Sequence, residues 1–170
     1  YERVLDMQNG TLDREVLWET PAGRQILVQS RRLVSFHEKH VAAISYRVTV
    51  INAQASLVLS SEVVDHPAPQ PHEDDPRLGR QVGEVLMPQA PDCADQRLLF
   101  SFVTRRSGMG LSLGVDHTLD TTCAFTVDTT CAEGTGQVVF NVDAEPGQPI
   151  HLTKYITYHT SRSDKTDELK

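Results

Sequence analysis

His37 and His40 stand three residues apart, and His66, His72, Glu73, Asp74 and Asp75 crowd one short stretch. These are the side chains that hold zinc or calcium, provided three or four of them converge at about 2.0–2.6 Å. On a strand, residues three apart point to opposite faces, and the stretch from His66 to Asp75 lacks a scaffold to aim its ligands. A hydrated acidic loop is the favoured reading, and no metal site is assigned. Two basic doublets, Arg31-Arg32 and Arg105-Arg106, carry the phosphate-binding chemistry of guanidinium groups. Each is embedded in a strand pattern, where one Arg faces solvent and the other is free to pair with a carboxylate. Glu62, on a Val-rich stretch, is the most unusual acid; pairing with Arg47 across a sheet outweighs a catalytic use. Trp18, Tyr46, Tyr155 and Tyr158 have the flat faces that stack on pyranose rings, but ten aromatics must also fill a core, and core packing is the expectation.

The motifs that announce catalysis are missing. The chain has no GxSxG elbow, no phosphate loop ending in GK[ST], and no GxGxxG after a strand; Gly108-Met109-Gly110 reads as a turn. Carboxylate pairs for sugar chemistry are defined by a separation in space, which 23 Asp and Glu residues leave open. No catalytic, cofactor-binding or metal-binding residue is therefore assigned.

Strand periodicity dominates the elements that carry these side chains. Ile26, Val28, Val34 and Phe36 share one parity between Arg24 and Phe36, with Gln29, Arg31 and Ser35 on the other. Leu27 and Leu33 break the alternation, so partial cover of the second face is expected. Glu15 to Thr20 reads as a preceding strand, joined through Thr20-Pro21-Ala22-Gly23, which places Pro and Gly where a turn wants them. Val41 to Ile51 and Ser56 to Val64 add two strands. Further on, Leu98, Phe100 and Phe102 alternate, Gly110 to Leu119 returns after the turn at Ser107 to Gly110, and Val138, Phe140 and Val142 alternate again. Ile150, Leu152, Ile156 and Tyr158 mark a last strand, with Lys154 at the remaining position of their parity. Between Asp65 and Asp95 lie six of the nine prolines, a composition suited to a long surface loop or two excursions rather than a central strand. After Thr160 the residues turn polar and helix-tolerant, with Ser163 or Asp164 as a helix N-cap. Nine or ten strands without a long helix predict an all-β sandwich of antiparallel sheets.

Whole-chain properties bound the function. In 170 residues, 16 Lys and Arg against 23 Asp and Glu leave a formal charge of −7, which disfavours a basic nucleic-acid face. With 39% hydrophobic residues the chain can bury a core, and it has no apolar run of about 18 residues to span a membrane and no basic-then-apolar export segment. Three cysteines, Cys93, Cys123 and Cys131, make an odd count with no CxxC spacing. They are expected to be unpaired core or loop residues of a cytoplasmic protein.

Three segments together point further. Leu5 to Arg24 (LDMQNGTLDREVLWETPAGR), Arg31 to Ser45 (RRLVSFHEKHVAAIS) and Leu152 to Arg162 (LTKYITYHTSR) resemble, in order, the N-terminal β-sandwich of glycoside hydrolase family 65, which holds maltose, trehalose and kojibiose phosphorylases and related hydrolases. The resemblance spans nearly the whole chain and is weakest in the Pro-rich middle. It implies a bacterial multidomain enzyme whose large sandwich, a supersandwich of galactose mutarotase-like fold, precedes a helical linker and an (α/α)₆ barrel. There a barrel Glu acts as general acid while phosphate, or activated water in the hydrolases, attacks with inversion. None of that machinery maps onto these residues.

On this basis residues 1–160 are expected to form the sandwich, incomplete on its N-terminal side, and residues 161–170 the start of the linker. The chain alone is expected to be a non-catalytic scaffold without cofactor, with the barrel of the same polypeptide as partner, a homo-oligomer, and α-glucoside disaccharide and phosphate as ligands of the parent. The stretch from Asp65 to Asp95 is a candidate to reach the rim of the substrate pocket. Two alternatives belong to other classes: a carbohydrate-binding module, and a mutarotase-like sandwich in which His117 or His151 exchanges protons with a sugar together with Glu62.

Overall fold

The computed structural model describes residues 1–64 and 86–161, and every described element is a strand. They are β1 (Glu2–Asp6), β2 (Thr11–Glu19), β3 (Gln25–Val34), β4 (Val41–Val50), β5 (Ala55–Val64), β6 (Leu86–Pro88), β7 (Asp92–Ala94), β8 (Arg97–Thr104), β9 (Gly110–Asp120), β10 (Phe125–Ala132), β11 (Thr135–Ala144) and β12 (Pro149–Thr160). Nine of them form one sheet in the order β1-β2-β3-β4-β12-β9-β8, with β6 and β7 both pairing with β8. The other three form a smaller sheet, β10-β11-β5, and every pairing is antiparallel.

The turns follow from their residues. Between β2 and β3, the Gly23 amide donates to the Thr20 carbonyl at 2.9 Å while Gly23 takes φ 74°, a conformation that costs glycine little. Between β10 and β11 the connection is only Glu133 and Gly134, and Gly134 at φ 72° lets the two strands reverse.

Alternation decides the core. Leu98, Phe100 and Phe102 of β8, Val115 of β9, Ile150 and Leu152 of β12, and Val50 of β4 face Val138, Phe140, Val142 and Ala144 of β11. Phe100, Phe140, Ile150 and Val50 are fully buried, and each such side chain contributes about 1.5–3 kcal/mol. The small sheet is too narrow to cover its partner. Along one cross-strand row, Val50 is 0% exposed, its neighbour Ile26 is half-buried, and the next residue, Trp18, is 55% exposed. The inward face of β1 to β3 thus lies beyond the opposing layer formed by the described residues.

Several expectations are corrected by this arrangement. Val34 and Phe36, on the parity expected to be buried, are 65% and 82% exposed, because the small sheet does not extend over that end of β3. The Pro-rich stretch lies outside the described residues from 65 to 85; its remainder supplies β6 and β7, both on the sheet's edge, where Pro88 is tolerated. Arg105 and Arg106 sit in the turn after β8 rather than in a strand, since Gly108 takes φ 65° and its amide closes on the Thr104 carbonyl at 3.0 Å. The cysteines are not all free: Cys93 of β7 and Cys131 of β10 form a disulfide, and only Cys123 is a buried thiol. The odd count misleads because pairing depends on which strands end beside each other in space. The expected linker start lies outside the described residues from 162 onward.

Candidate functional site

Among the described residues, His117 is the most deeply buried polar side chain. On β9 it faces the core at 4% exposure, and it meets the small sheet through Ser61 of β5. Its Nδ1 lies 2.7 Å from the Gln96 carbonyl, which can only accept, so Nδ1 carries the proton and Nε2 accepts from the Ser61 hydroxyl at 2.7 Å. Phe140 packs edge-on against the ring. Burial pushes the imidazole below its ordinary value, opposed by the Gln96 bond, with the nearby Lys154 ammonium adding to the fall. His117 is a neutral brace between sheets.

Lys154 shares a cross-strand position with His117 and looks into the mouth between β4 and β5. Its ammonium donates to the Glu62 carbonyl at 3.2 Å, and burial lowers its pKa while Glu62 acts in the opposite sense. The mouth is a hollow of about 320 Å³ floored by Ile44, Tyr46 and Leu152. Glu62 itself is exposed; its Oε1 accepts from Ser60 Oγ at 3.1 Å and Gln137 Nε2 at 3.0 Å. The expected partner, Arg47, belongs to the large sheet on its outer face, so the Glu62–Arg47 pair does not form.

That outer face carries a hollow of about 660 Å³, crossed by ladders of polar side chains. Asp13 is gripped by Arg31 at 2.6 and 3.3 Å, Gln29 donates to Glu15 at 2.7 Å, and Ser45 Oγ lies 2.7 Å from His151 Nε2. The Arg31 guanidinium is held above its usual range, first by its bond to Asp13 and then by that carboxylate's charge. Arg47 and His151 also line a smaller adjoining hollow with Asp120, Thr122 and Gln148. Charges of both signs alternate here, so the surface suits contact with another polar surface better than capture of a single anion.

The structure does not bring the proton-exchange candidates together. Ser61 and Glu62 are successive on β5 and point to opposite faces; the first meets His117 inside and the second turns outward. His151 sits on the far side of the large sheet. Neither histidine forms a pair with Glu62. His37 and His40 occupy the β3–β4 connection rather than a strand: His37 is exposed, while His40 stacks on His159 with ring centroids 4.6 Å apart. His66, His72, Glu73, Asp74 and Asp75 lie outside the described residues. Among the described residues no three His, Cys, Asp or Glu side chains converge on a point.

The aromatic expectation also changes. Trp18, Tyr155 and Tyr158 are 55%, 44% and 45% exposed, so they do not fill the core. Nor do they share a platform, because Tyr155 and Tyr158 differ in parity and face opposite sides of β12. The braces that periodicity did not reveal, Ser61 with His117 and Ser45 with His151, join residues 56 and 106 positions apart. Lys154, an ammonium on an apolar parity, was the one visible signal.

Comparisons with known proteins bear on this geometry. A model of the glycosyl hydrolase family 65 N-terminal domain matches residues 1–170. The α,α-trehalose phosphorylase of Thermoanaerobacter brockii is 28% identical over 170 residues, covering 99% of this chain and 22% of that protein. An uncharacterized glycosyl hydrolase of Mycobacterium tuberculosis is 29% identical over 158 residues, covering 93% and 20%. A solved structure described as a kojibiose phosphorylase from the human microbiome superposes with a TM-score of 0.77 at 12% identity, over 98% of this chain and 20% of the other, and so shares the fold. The chain spans about a fifth of the length of the curated relatives it matches over most of its length.

Proposed function

The chain belongs to the glycosyl hydrolase family 65 N-terminal domain family, and we propose on that premise that it is the non-catalytic scaffold of a larger enzyme that cleaves α-glucosidic disaccharides by inverting phosphorolysis or hydrolysis. The observation that carries this reading is the match along the whole chain to a fifth of proteins that include a trehalose phosphorylase. The interior supports it. His117, the enclosed titratable group, is spent on bracing two sheets, and Glu62 points away from it.

In this reading residues 1–160 are the sandwich and 161–170 lead into a linker toward the catalytic barrel, which is the main partner. The polar ladders of the outer face and the uncovered inner face of β1 to β3 are the surfaces on which the rest of the polypeptide, or a second copy, docks. The disaccharide and phosphate bind elsewhere in the parent. A cytoplasmic setting is part of the proposal, with the Cys93–Cys131 bond as the feature that tests it.

Two measurements examine the reading. Isothermal titration of trehalose, kojibiose and nigerose into the chain should give no binding heat; saturable heat at millimolar sugar or below would favour a carbohydrate-binding module. Cleavage of the same sugars by the full-length polypeptide should depend on phosphate if the parent is a phosphorylase and proceed without it if it is a hydrolase. Failure to cleave any of them under both conditions would remove the proposed activity.

A further inference from the structure

The two sheets are fastened at one edge and gape at the other. At the gaping edge, the Lys154 ammonium reaches across to the Glu62 carbonyl. At the fastened edge, Cys93 of β7 is bonded to Cys131 of β10, with Cα atoms 6.5 Å apart. Beside the bond, the Thr129 hydroxyl donates to the Asp95 carbonyl, a second link between the same two strands' ends. Strand β7 has little else to hold it. It pairs with β8 over only three positions, Asp92 to Leu99, Cys93 to Leu98 and Ala94 to Arg97.

The two sulfurs are not equivalent. Cys93 is half-buried and packs against the core, whereas Cys131 is exposed on the outermost strand of the small sheet. Acidic residues lie within three positions of each cysteine in the sequence: Asp92 and Asp95 near Cys93, Asp128 and Glu133 near Cys131. Such a neighbourhood repels most strongly a thiolate that carries further negative charge, which leaves an otherwise uncharged dithiol as the better reactant.

We propose that Cys93 and Cys131 form a thiol–disulfide exchange site that latches the closed edge of the sandwich, opened by attack of a dithiol at Cys131 Sγ. The attacking thiolate forms a new S–S bond to Cys131 as the Cys131–Cys93 bond breaks. The electron pair leaves on Cys93, which takes a proton. The second thiol of the reductant then displaces Cys131, so one protein disulfide becomes two thiols and the dithiol becomes a disulfide. Two electrons and two protons pass to the protein, and the reverse step restores the latch. Opening frees β7 from β10 of the small sheet.

The test uses the whole chain, purified without reductant and trapped with iodoacetamide at lysis. Peptide mass spectrometry should find Cys93 crosslinked to Cys131, with Cys123 alkylated only after denaturation. Hydrogen exchange with and without dithiothreitol should show faster exchange at residues 92–94 and 125–132 on reduction, with residues 25–50 and 149–160 unchanged. Cys131→Ser should show the fast pattern without reductant and no response to it. Dithiothreitol should open the bond faster than an equal thiol concentration of glutathione. Native alkylation of both Cys93 and Cys131 after incubation with oxidised glutathione would overturn the site. An exchange pattern indifferent to reduction would overturn the latch, and equal rates for the two reductants would overturn the dithiol preference.

Discussion

His117 shows how one side chain couples the sheets and what its chemistry predicts. Folding holds this imidazole below its ordinary value of 6.5, chiefly by burial. The unfolded chain therefore takes up the proton more readily than the folded one, and stability is fully present above the unfolded value and declines as pH falls through it. Urea midpoints are expected to drop between about pH 7.5 and pH 5.5, and to drop less in His117→Gln, whose amide cannot titrate there. An equal drop in the variant would mean that His117 is not responsible. At neutral pH the same substitution is expected to cost about 1–3 kcal/mol, since Ser61 and the Gln96 carbonyl lose well-placed partners. None of this was legible from residues alone. Composition and spacing identify a histidine, whereas its role depends on Ser61 arriving from another sheet. Glu62 failed to find Arg47 for the same reason: the order β10-β11-β5 puts Gln137, not Arg47, at its side.

Among the elements, alternation was readable wherever a strand is covered by the opposing sheet. Leu98, Phe100 and Phe102 on β8, and Val138, Phe140 and Val142 on β11, are buried as their parity requires. The pattern misled at the end of β3, where Val34 and, just beyond the strand, Phe36 are apolar but exposed, and it passed over β6 and β7, whose three residues are too short for a period. Packing where the sheets meet makes a sharp prediction at Gly136 of β11. A Cβ there would lie 2.6 Å from Cζ of Phe100, which is 1% exposed and has no room to retreat. Gly136→Ala is expected to destabilise the chain by about 1–3 kcal/mol, read from the urea midpoint, and Phe100→Leu in the same chain should recover part of the loss. A neutral Gly136→Ala would show that this end of the sandwich is loosely packed. The latch acts on the same layer: closing a link between residues 38 apart is worth about 4 kcal/mol in the chain-entropy account, so reduction should lower stability by up to that amount.

At the scale of the molecule, a nine-stranded sheet faced by three strands leaves apolar side chains without cover. Leu5, Trp18 and Val34 are 62%, 55% and 65% exposed on or beside the inward face of β1 to β3, and β5 ends the small sheet with an unpaired edge among the described residues. Edges and faces of this kind associate. The chain studied alone is therefore expected to form dimers or larger species in light scattering across micromolar concentrations, and Trp18→Lys should shift it toward monomer. A strictly monomeric wild-type chain would contradict that. Across the outer face Asp13, Glu15, Arg31 and Arg47 share one surface in ladders of alternating sign. That surface suits docking to another folded unit, as a scaffold requires.

The central claim is that this domain supports catalysis performed elsewhere in its polypeptide. The most direct test incubates the purified chain and the full-length polypeptide separately with trehalose, kojibiose and nigerose, with and without phosphate, and follows release of free sugar and sugar phosphate. The account predicts no turnover by the chain under any condition and turnover of at least one disaccharide by the full-length polypeptide. Cleavage by the chain alone, abolished by His117→Gln or His151→Gln, would contradict it.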